Sequence, residues 1–348
     1  MRSDSPENRY ARQIQFPPIG REGQDRLAQA RVAILGCGAL GSVAAEILAR
    51  AGCGTLRLID RDVVEWTNLQ RQSLYTEQDA SEGLSKADAA CQRLASINRT
   101  ITVIPVVADV NSHNIGDVLG QVDFVVDAAD NFLLRFLLND WALKNRTPWV
   151  HGGCVGATGQ VKLFSGLGSP CFRCLVPEPP AAAAVDTCDT AGVVGSATHV
   201  IASLQATEAI KWLSGNHDAV RKTLLSVDLW HNRIRELSIP ESICQTCRAC
   251  GQGHYDFLDG SWAIESESAA VLCGRDAVQI QTNARSIDLA QVAHRWQGIG
   301  PVQQTPFFVR LRPDEVHSLT LFRDGRVVIT GTDQISEARV LCDRFIGG

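Results

Sequence analysis

The 348-residue sequence predicts an α/β protein: a doubly wound, mostly parallel sheet followed by a small C-terminal α+β domain. Three observations point there. From Arg31 to about Pro148, short β-branched runs alternate with helix-length stretches. The runs are apolar on both faces, as strands buried between two helix layers must be. Beyond Tyr255 the alternation gives way to a hairpin and two further helices. Right-handed crossovers through the helices of the first region make its strands parallel.

Residues 1–30 are expected to form a helical arm. The sheet then opens on "RVAILG", and "LGSVAAEILARAG" supplies the first crossover helix. The strand "TLRLID", helix "SKADAACQRLASIN", strands "TITVIPVVA" and "VDFVVDAAD", and a helix from Phe132 to Lys144 follow. After "PWVHGG" the texture becomes glycine-rich and strand-like, as in "GATGQVKLF", and then enters the Pro/Ala loop "PEPPAAAAVDTCDTAG". In "ATHVIASLQATEAIKWLSG", Val200, Ile201, Leu204, Ile210 and Leu213 keep a helical spacing and Gly215 is placed to end the helix. "LLSVDLWHNRIRELSI" reads as a hairpin. The last region holds strand "DAVQIQ", helix "DLAQVAHRWQG", strand "FFVRLRP", a hairpin turning at Asp324 and Gly325, and the amphipathic helix "SEARVLCDRF". Domain boundaries are expected at 1–251 and 255–348.

Net charge is −5 and no long basic stretch occurs, which argues against nucleic acid or an anionic membrane as partner. The start, "MRSDSPENRYARQ", lacks the apolar core of a signal peptide, and no apolar run is long enough to span a bilayer. The expected location is the cytoplasm. There, twelve cysteines read as metal ligands, reactive thiols or small core residues before they read as disulfides.

Gly36, Gly38 and Gly41 stand in the G-x-G-x-x-G register between a strand and a helix, a Rossmann-like phosphate cradle. That physics serves any nucleotide phosphate and does not by itself select NAD. The next strand runs into "DRDVVEWTNLQRQ", with Asp60 and Asp62 as a D-x-D pair followed by Asn68, Arg71 and Gln72; Lys86 follows in "EGLSKADAA". A triphosphate needs such concentrated positive charge, and Arg and Lys also neutralise a departing pyrophosphate. Asp127 and Asp130 end the fourth strand at the edge where ligands of open α/β sheets collect. A carboxylate there suits a magnesium ion bridging ATP phosphates. Asp130 or Asn131 also suits a helix cap.

Cys171 and Cys174 form one Cys-x-x-Cys knuckle, and "CQTCRACG" offers Cys244, Cys247 and Cys250 at the same spacing. Two knuckles supply four thiolates for a closed, structural zinc site. Cys37, Cys53, Cys91 and Cys154 lie in apolar or glycine-rich settings and read as packing residues.

With "RYARQ", "GCGALGS", "DRDVVEWTNLQRQ", Lys86, "DAADNFLLR", "TCDTAGV" and "SLQATEAIKWLSG" in register, residues 9–251 resemble the ThiF/MoeB/HesA family, relatives of the ubiquitin-activating enzymes. The resemblance implies Mg-ATP-dependent adenylation of the C-terminal glycine carboxylate of a ubiquitin-like sulfur-carrier protein ending in Gly-Gly. It places Gly41 and its loop with Gly38, Asp62, Asn68, Arg71 and Lys86 around ATP, with Asp62 on the ribose and Asp130 on magnesium; Asp60, Gln72 and Asn131 beside them are further candidates for binding the nucleotide. Arg12 is implied to reach the partner's site in a homodimer, and Cys188 matches a family cysteine that in some members carries the acyl group or sulfur. A glycine directly after the last metal ligand favours Cys247 and Cys250 over Cys244.

The last ninety-odd residues fall outside the core family pattern. Cys273 lacks the loop of a rhodanese cysteine, and Gly347 and Gly348 follow a helical segment, which makes them a helix stop rather than an activatable tail. The competing readings are an NAD-dependent oxidoreductase, a non-catalytic subunit that binds a ubiquitin-like protein, and a tRNA-modifying dehydratase relative. Arg71, Lys86, Asp130 and the cysteine pairs oppose the first, the intact set of charged residues the second, and the lack of a basic surface the third.

Overall fold

A computed structural model describes residues 8–180, 191–260, 269–271, 276–282 and 287–346. Cys188, Cys273, Gly347 and Gly348 lie outside the described residues. The chain divides into two compact units, Met1–Trp262 and Ala263–Gly348.

The first unit is built on an eight-stranded sheet. Its strands are β1 (Arg31–Leu35), β2 (Thr55–Asp60), β3 (Thr102–Val107), β4 (Phe124–Asp127), β5 (Trp149–Val155), β6 (Thr158–Phe164), β7 (Leu224–Asp228) and β8 (Arg233–Leu237), in the order β3-β2-β1-β4-β5-β6-β7-β8. The pairings from β3 across to β5 are parallel and those from β5 to β8 antiparallel. Strand β1 shows why its sequence is apolar from Val32 onward. Val32 and Ile34 enter the core on one face, Ala33 and Leu35 the core on the other, because successive strand side chains point to opposite faces.

On the first face lie α3 (Ala39–Ala51), α5 (Lys86–Ile97) and the long α9 (Gly195–Leu213), whose Ile201, Ala202 and Ala206 share a core with Ala44 and Leu48 of α3. The second face is covered by α6 (Ile115–Leu119) and α7 (Phe132–Asn145). The arm consists of α1 (Ala11–Ile14) and α2 (Gly20–Gln29). It is docked on the C-terminal end of α3: Gln13 donates to the Ala51 carbonyl at 2.9 Å, and Asn98 donates both to the Tyr10 hydroxyl and to the Ala49 carbonyl.

The second unit is a six-stranded antiparallel sheet. Its strands are β9 (Ala269–Val271), β10 (Ala277–Gln281), β11 (Val302–Gln304), β12 (Phe308–Leu311) and the hairpin β13 (Ser318–Phe322)–β14 (Arg326–Thr330), turning at Gly325 with φ +86°. Val309, Leu311, Leu319, Leu321, Val327 and Ile329 pack on helices Leu289–Trp296 and Ile335–Phe345. The Trp296 indole donates to the Phe345 carbonyl at 2.8 Å and ties the two helices together.

Candidate active site

The strand order reverses direction between β1 and β4, and ligands of open α/β sheets bind in the crevice at such a switch point. Leu35, the last residue of β1, is in register with Ile59 of β2 on one side and Asp127 of β4 on the other. The loops that leave these three strands therefore stand side by side.

The turn after β1 requires glycine at two positions. Gly36 has φ +93°, and a Cβ there would lie 2.6 Å from the Ala128 carbonyl oxygen; a Cβ at Gly41 would lie 1.8 Å from the Gly36 oxygen. The helix is thereby seated directly on the turn, with Gly38 as its N-cap and its first amides facing the crevice. Two buried side-chain atoms beside this turn have no hydrogen-bond partner among the described residues: Ser42 Oγ in the first turns of α3, and Gln72 Oε1, whose amide faces Gly38. Buried polar groups are nearly always satisfied, so these orphans fit a cradle that expects a polar ligand.

Asp60 and Asn131 are engaged with backbone amides. The Asp60 carboxylate accepts from Cys37 N and Asp62 N, each at 2.7 Å, and locks the glycine turn to the exit of β2. Burial pushes its carboxyl up, opposed by the Lys86 charge. Asn131 accepts from Leu133 N at 2.8 Å and caps α7.

Lys86, at the start of α5, is buried, and its ammonium lies 3.3 Å from the Asp62 carboxylate while its amide donates to the Asp62 carbonyl at 2.9 Å. Asn68 is buried in a short 3-10 turn, accepting from Glu65 N, and its carbonyl accepts from Arg71 N and Gln72 N. The Arg71 guanidinium donates to the Thr67 carbonyl at 2.8 Å and makes no ion pair among the described residues. Asp130 is exposed and makes no hydrogen bond to another described residue. An exposed carboxylate at the strand edge that is hydrogen-bonded to no described residue fits Mg2+, which takes one or two carboxylates and fills its other positions with water and phosphate oxygens.

Other participants gave little or no signal in the sequence. Arg61, inside the D-R-D triplet, lies 3.1 Å from Asp109; burial works against its charge, and the carboxylates of Asp109, Asp62 and Asp130 together outweigh it and push the guanidinium up. Tyr75 donates to the Cys37 carbonyl at 2.7 Å and lies 3.2 Å from the Lys86 carbonyl, joining the glycine turn to α5. Arg12 is not brought to this crevice. It sits on the arm at the far end of α3, whose 13 residues separate it from the glycine turn by about 20 Å.

The four thiols of Cys171, Cys174, Cys247 and Cys250 all lie within 4.8 Å of one another. The Cys171–Cys174, Cys171–Cys247 and Cys174–Cys250 separations are 3.9, 3.7 and 3.4 Å. A tetrahedron of sulfurs about 2.3 Å from a zinc ion has edges of about 3.8 Å, so the foursome fits zinc and leaves no open position. Cys244 points elsewhere, its thiol 3.7 Å from the Pro240 carbonyl. The knuckles are pinned to α7, where Asn139 accepts from Phe172 N at 2.8 Å and Asp140 from Phe257 N at 3.0 Å.

A match to the ThiF family spans residues 10–249. The chain belongs to the ThiF family. Among its relatives is the sulfur carrier protein ThiS adenylyltransferase of Bacillus subtilis, 41% identical over 342 residues, covering 97% of this chain and 99% of the relative. The SAMP-activating enzyme E1 of Haloferax volcanii is 38% identical over 259 residues, 74% of this chain and 94% of that one. Among solved structures, E. coli MccB superposes with a TM-score of 0.62 at 26% identity, covering 72% of this chain and 74% of MccB. The ThiF match ends before the second unit, whereas the alignment with the B. subtilis relative continues through it. Among the described residues of this ThiF-family chain, no helix is long and apolar enough to cross a membrane.

Asp140 gives a pH signature. Burial raises its carboxyl to about 6, against the hydrogen bond from Phe257 N. The unfolded chain releases this proton near pH 3.9. The folded state binds it more tightly, so this contribution to stability is complete below the unfolded value and is lost as pH rises through the folded one. Relative to Asp140→Asn, the native protein is expected to lose about 1 kcal/mol of unfolding free energy between about pH 5 and pH 7. Denaturant melts of both proteins across that range check this, and a constant difference contradicts it.

Proposed function

We propose that this chain adenylates the C-terminal glycine carboxylate of a ubiquitin-like sulfur-carrier protein ending in Gly-Gly, consuming ATP and releasing pyrophosphate. The observation that supports the reading best is the glycine cradle packed against the end of β4, with Lys86 beside Asp62 at the exit of β2 and the exposed Asp130 just past β4. The full-length likeness to a ThiS adenylyltransferase supports the choice of substrate.

A carboxylate is already a nucleophile, so the reaction needs no general base. It needs two anions aligned and their charge masked. The amides at the start of α3 bind phosphate oxygens, Asp62 accepts from the ribose hydroxyls, and Lys86 and Arg71 stabilise charge moving onto the leaving pyrophosphate. Asp130 holds magnesium, which when bound neutralises phosphate oxygens. Residues 1–251 form the adenylation domain and residues 255–348 serve carrier recognition or dimer support. The four cysteines hold a structural zinc ion, Cys188 passes sulfur or an acyl group, and the protein works in the cytoplasm.

Arg12 acts in the partner's site of a homodimer, since its own crevice lies farther away than an arginine side chain reaches. Mixing Arg12→Ala with Asp130→Ala, each inactive alone, is expected to restore about a quarter of the native activity, because half of the exchanged dimers are mixed and each of those has one intact site. No recovery after subunit exchange contradicts the shared site.

The test of the whole reading is ATP–pyrophosphate exchange with small proteins ending in Gly-Gly. Exchange that depends on such a protein and on its terminal glycine supports the reading. NAD reduction without exchange overturns it.

A further inference from the structure

We propose that the buried set Arg135, Asp127 and His151 consists of positioning residues that hold the turn Ala128–Asp130 so that the Asp130 carboxylate meets its metal. This rests on the metal role given above to Asp130. Strand β4 ends at Asp127, which is 0% exposed. One carboxylate oxygen of Asp127 accepts from Ala129 N at 3.1 Å; the other is 3.2 Å from Arg135 Nε and 2.9 Å from His151 Nδ1. Arg135 turns a second nitrogen onto the Ala129 carbonyl at 2.5 Å, with the Gly152 carbonyl at 3.4 Å.

Both backbone polar groups of Ala129 are thus held by one buried ion pair. Ala128 N donates to the Leu35 carbonyl, and Gln205 of α9 donates to the Asp127 carbonyl at 2.7 Å. On the other side, the Asn131 cap fixes the start of α7. Asp130 is the exposed residue between these two anchored stretches.

Stability alone does not account for such a cluster. Burying two charges is costly even when they are paired, and well-packed apolar replacements are often neutral or stabilising. Burial pushes the His151 imidazole down, toward its neutral form, and with the Asp127 carboxylate as acceptor the bond at Nδ1 is one in which His151 donates. The cluster is then one compensated pair with its spare donors spent on carbonyls. What it secures is the position of a single turn, and a displacement of about 1 Å at a reacting group can cost a hundredfold in rate.

The test uses the full-length, zinc-loaded protein and two variants, Arg135→Lys, which keeps the charge but loses the fork, and His151→Gln. Mn2+ binding is titrated by electron paramagnetic resonance in the presence of a non-hydrolysable ATP analogue, and amide exchange is followed at Ala129. Mn2+ binding weakened about tenfold or more, metal-free analogue binding within about twofold of native, and faster exchange at Ala129 are expected. Unchanged Mn2+ affinity in a folded variant overturns the positioning role. Should Arg135→Lys fail to fold, the same measurements on His151→Gln decide. A native protein that binds no Mn2+ with the nucleotide overturns the functional reading itself, which keeps the two failures distinguishable.

Discussion

Asp130→Ala is expected to lower carrier-dependent ATP–pyrophosphate exchange by about a hundred- to a thousandfold, the usual cost of removing one group that stabilises transition-state charge. Its melting temperature should not change, because the Asp130 side chain is exposed and bonds to no other described residue. The separation of the two effects is what makes the variant informative. Exchange rates at saturating ATP, read beside thermal melts, check it. A native rate removes the metal role from Asp130.

Loss of one zinc ligand carries the largest expected cost in stability. Structural zinc sites contribute about 10–16 kcal/mol of apparent binding free energy in small peptides, and in a domain of this size part of that survives as folding energy. Here the knuckles also bury Arg173 against Asp256, at 3.0 Å, and offer Phe172 N and Phe257 N to the middle of α7. Cys174→Ser is expected to abolish stoichiometric zinc and to lower stability by several kcal/mol, within the range for losing a structural metal. Cys244→Ser, outside the foursome, is expected to retain zinc. Metal analysis and denaturant melts of both variants check this. Zinc lost with Cys244 and kept without Cys174 would reverse the ligand assignment.

Most of the parallel half of the sheet was legible because β1 to β4 are largely apolar runs separated by helix-length stretches, whereas β5, with His151 and two glycines, gave no such signal; the glycine turn was legible because a close backbone approach leaves no choice of residue. The hairpin at Gly325 and the long helix ending before Gly215 announced themselves by their turn glycines. The cysteine pattern gave two knuckles, but Cys244, Cys247 and Cys250 share one spacing, and only the separation of the thiols distinguishes them.

What the sequence hid is long-range pairing. Asp127 meets His151 across 24 residues and Gln205 across 78, with no periodicity or motif to mark the meeting. Asp60 shows a second limit: residue type marked it for the nucleotide, and nothing in the sequence showed that each of its carboxylate oxygens also accepts from a backbone amide of the site. The arm's motif marked Arg12 for a partner's site, and the arm's docking beneath Gly52, where a Cβ would lie 2.6 Å from the Tyr10 ring, puts that residue at the far end of α3 from its own crevice.

The most direct measurement follows heavy oxygen from the carrier's terminal carboxylate into nucleotide. Attack on the α-phosphorus joins a carboxylate oxygen to phosphorus, and thiolysis of the acyl-adenylate then leaves that oxygen in AMP. The account predicts AMP carrying one carboxylate oxygen and unlabelled pyrophosphate. Label in orthophosphate with release of ADP would contradict it.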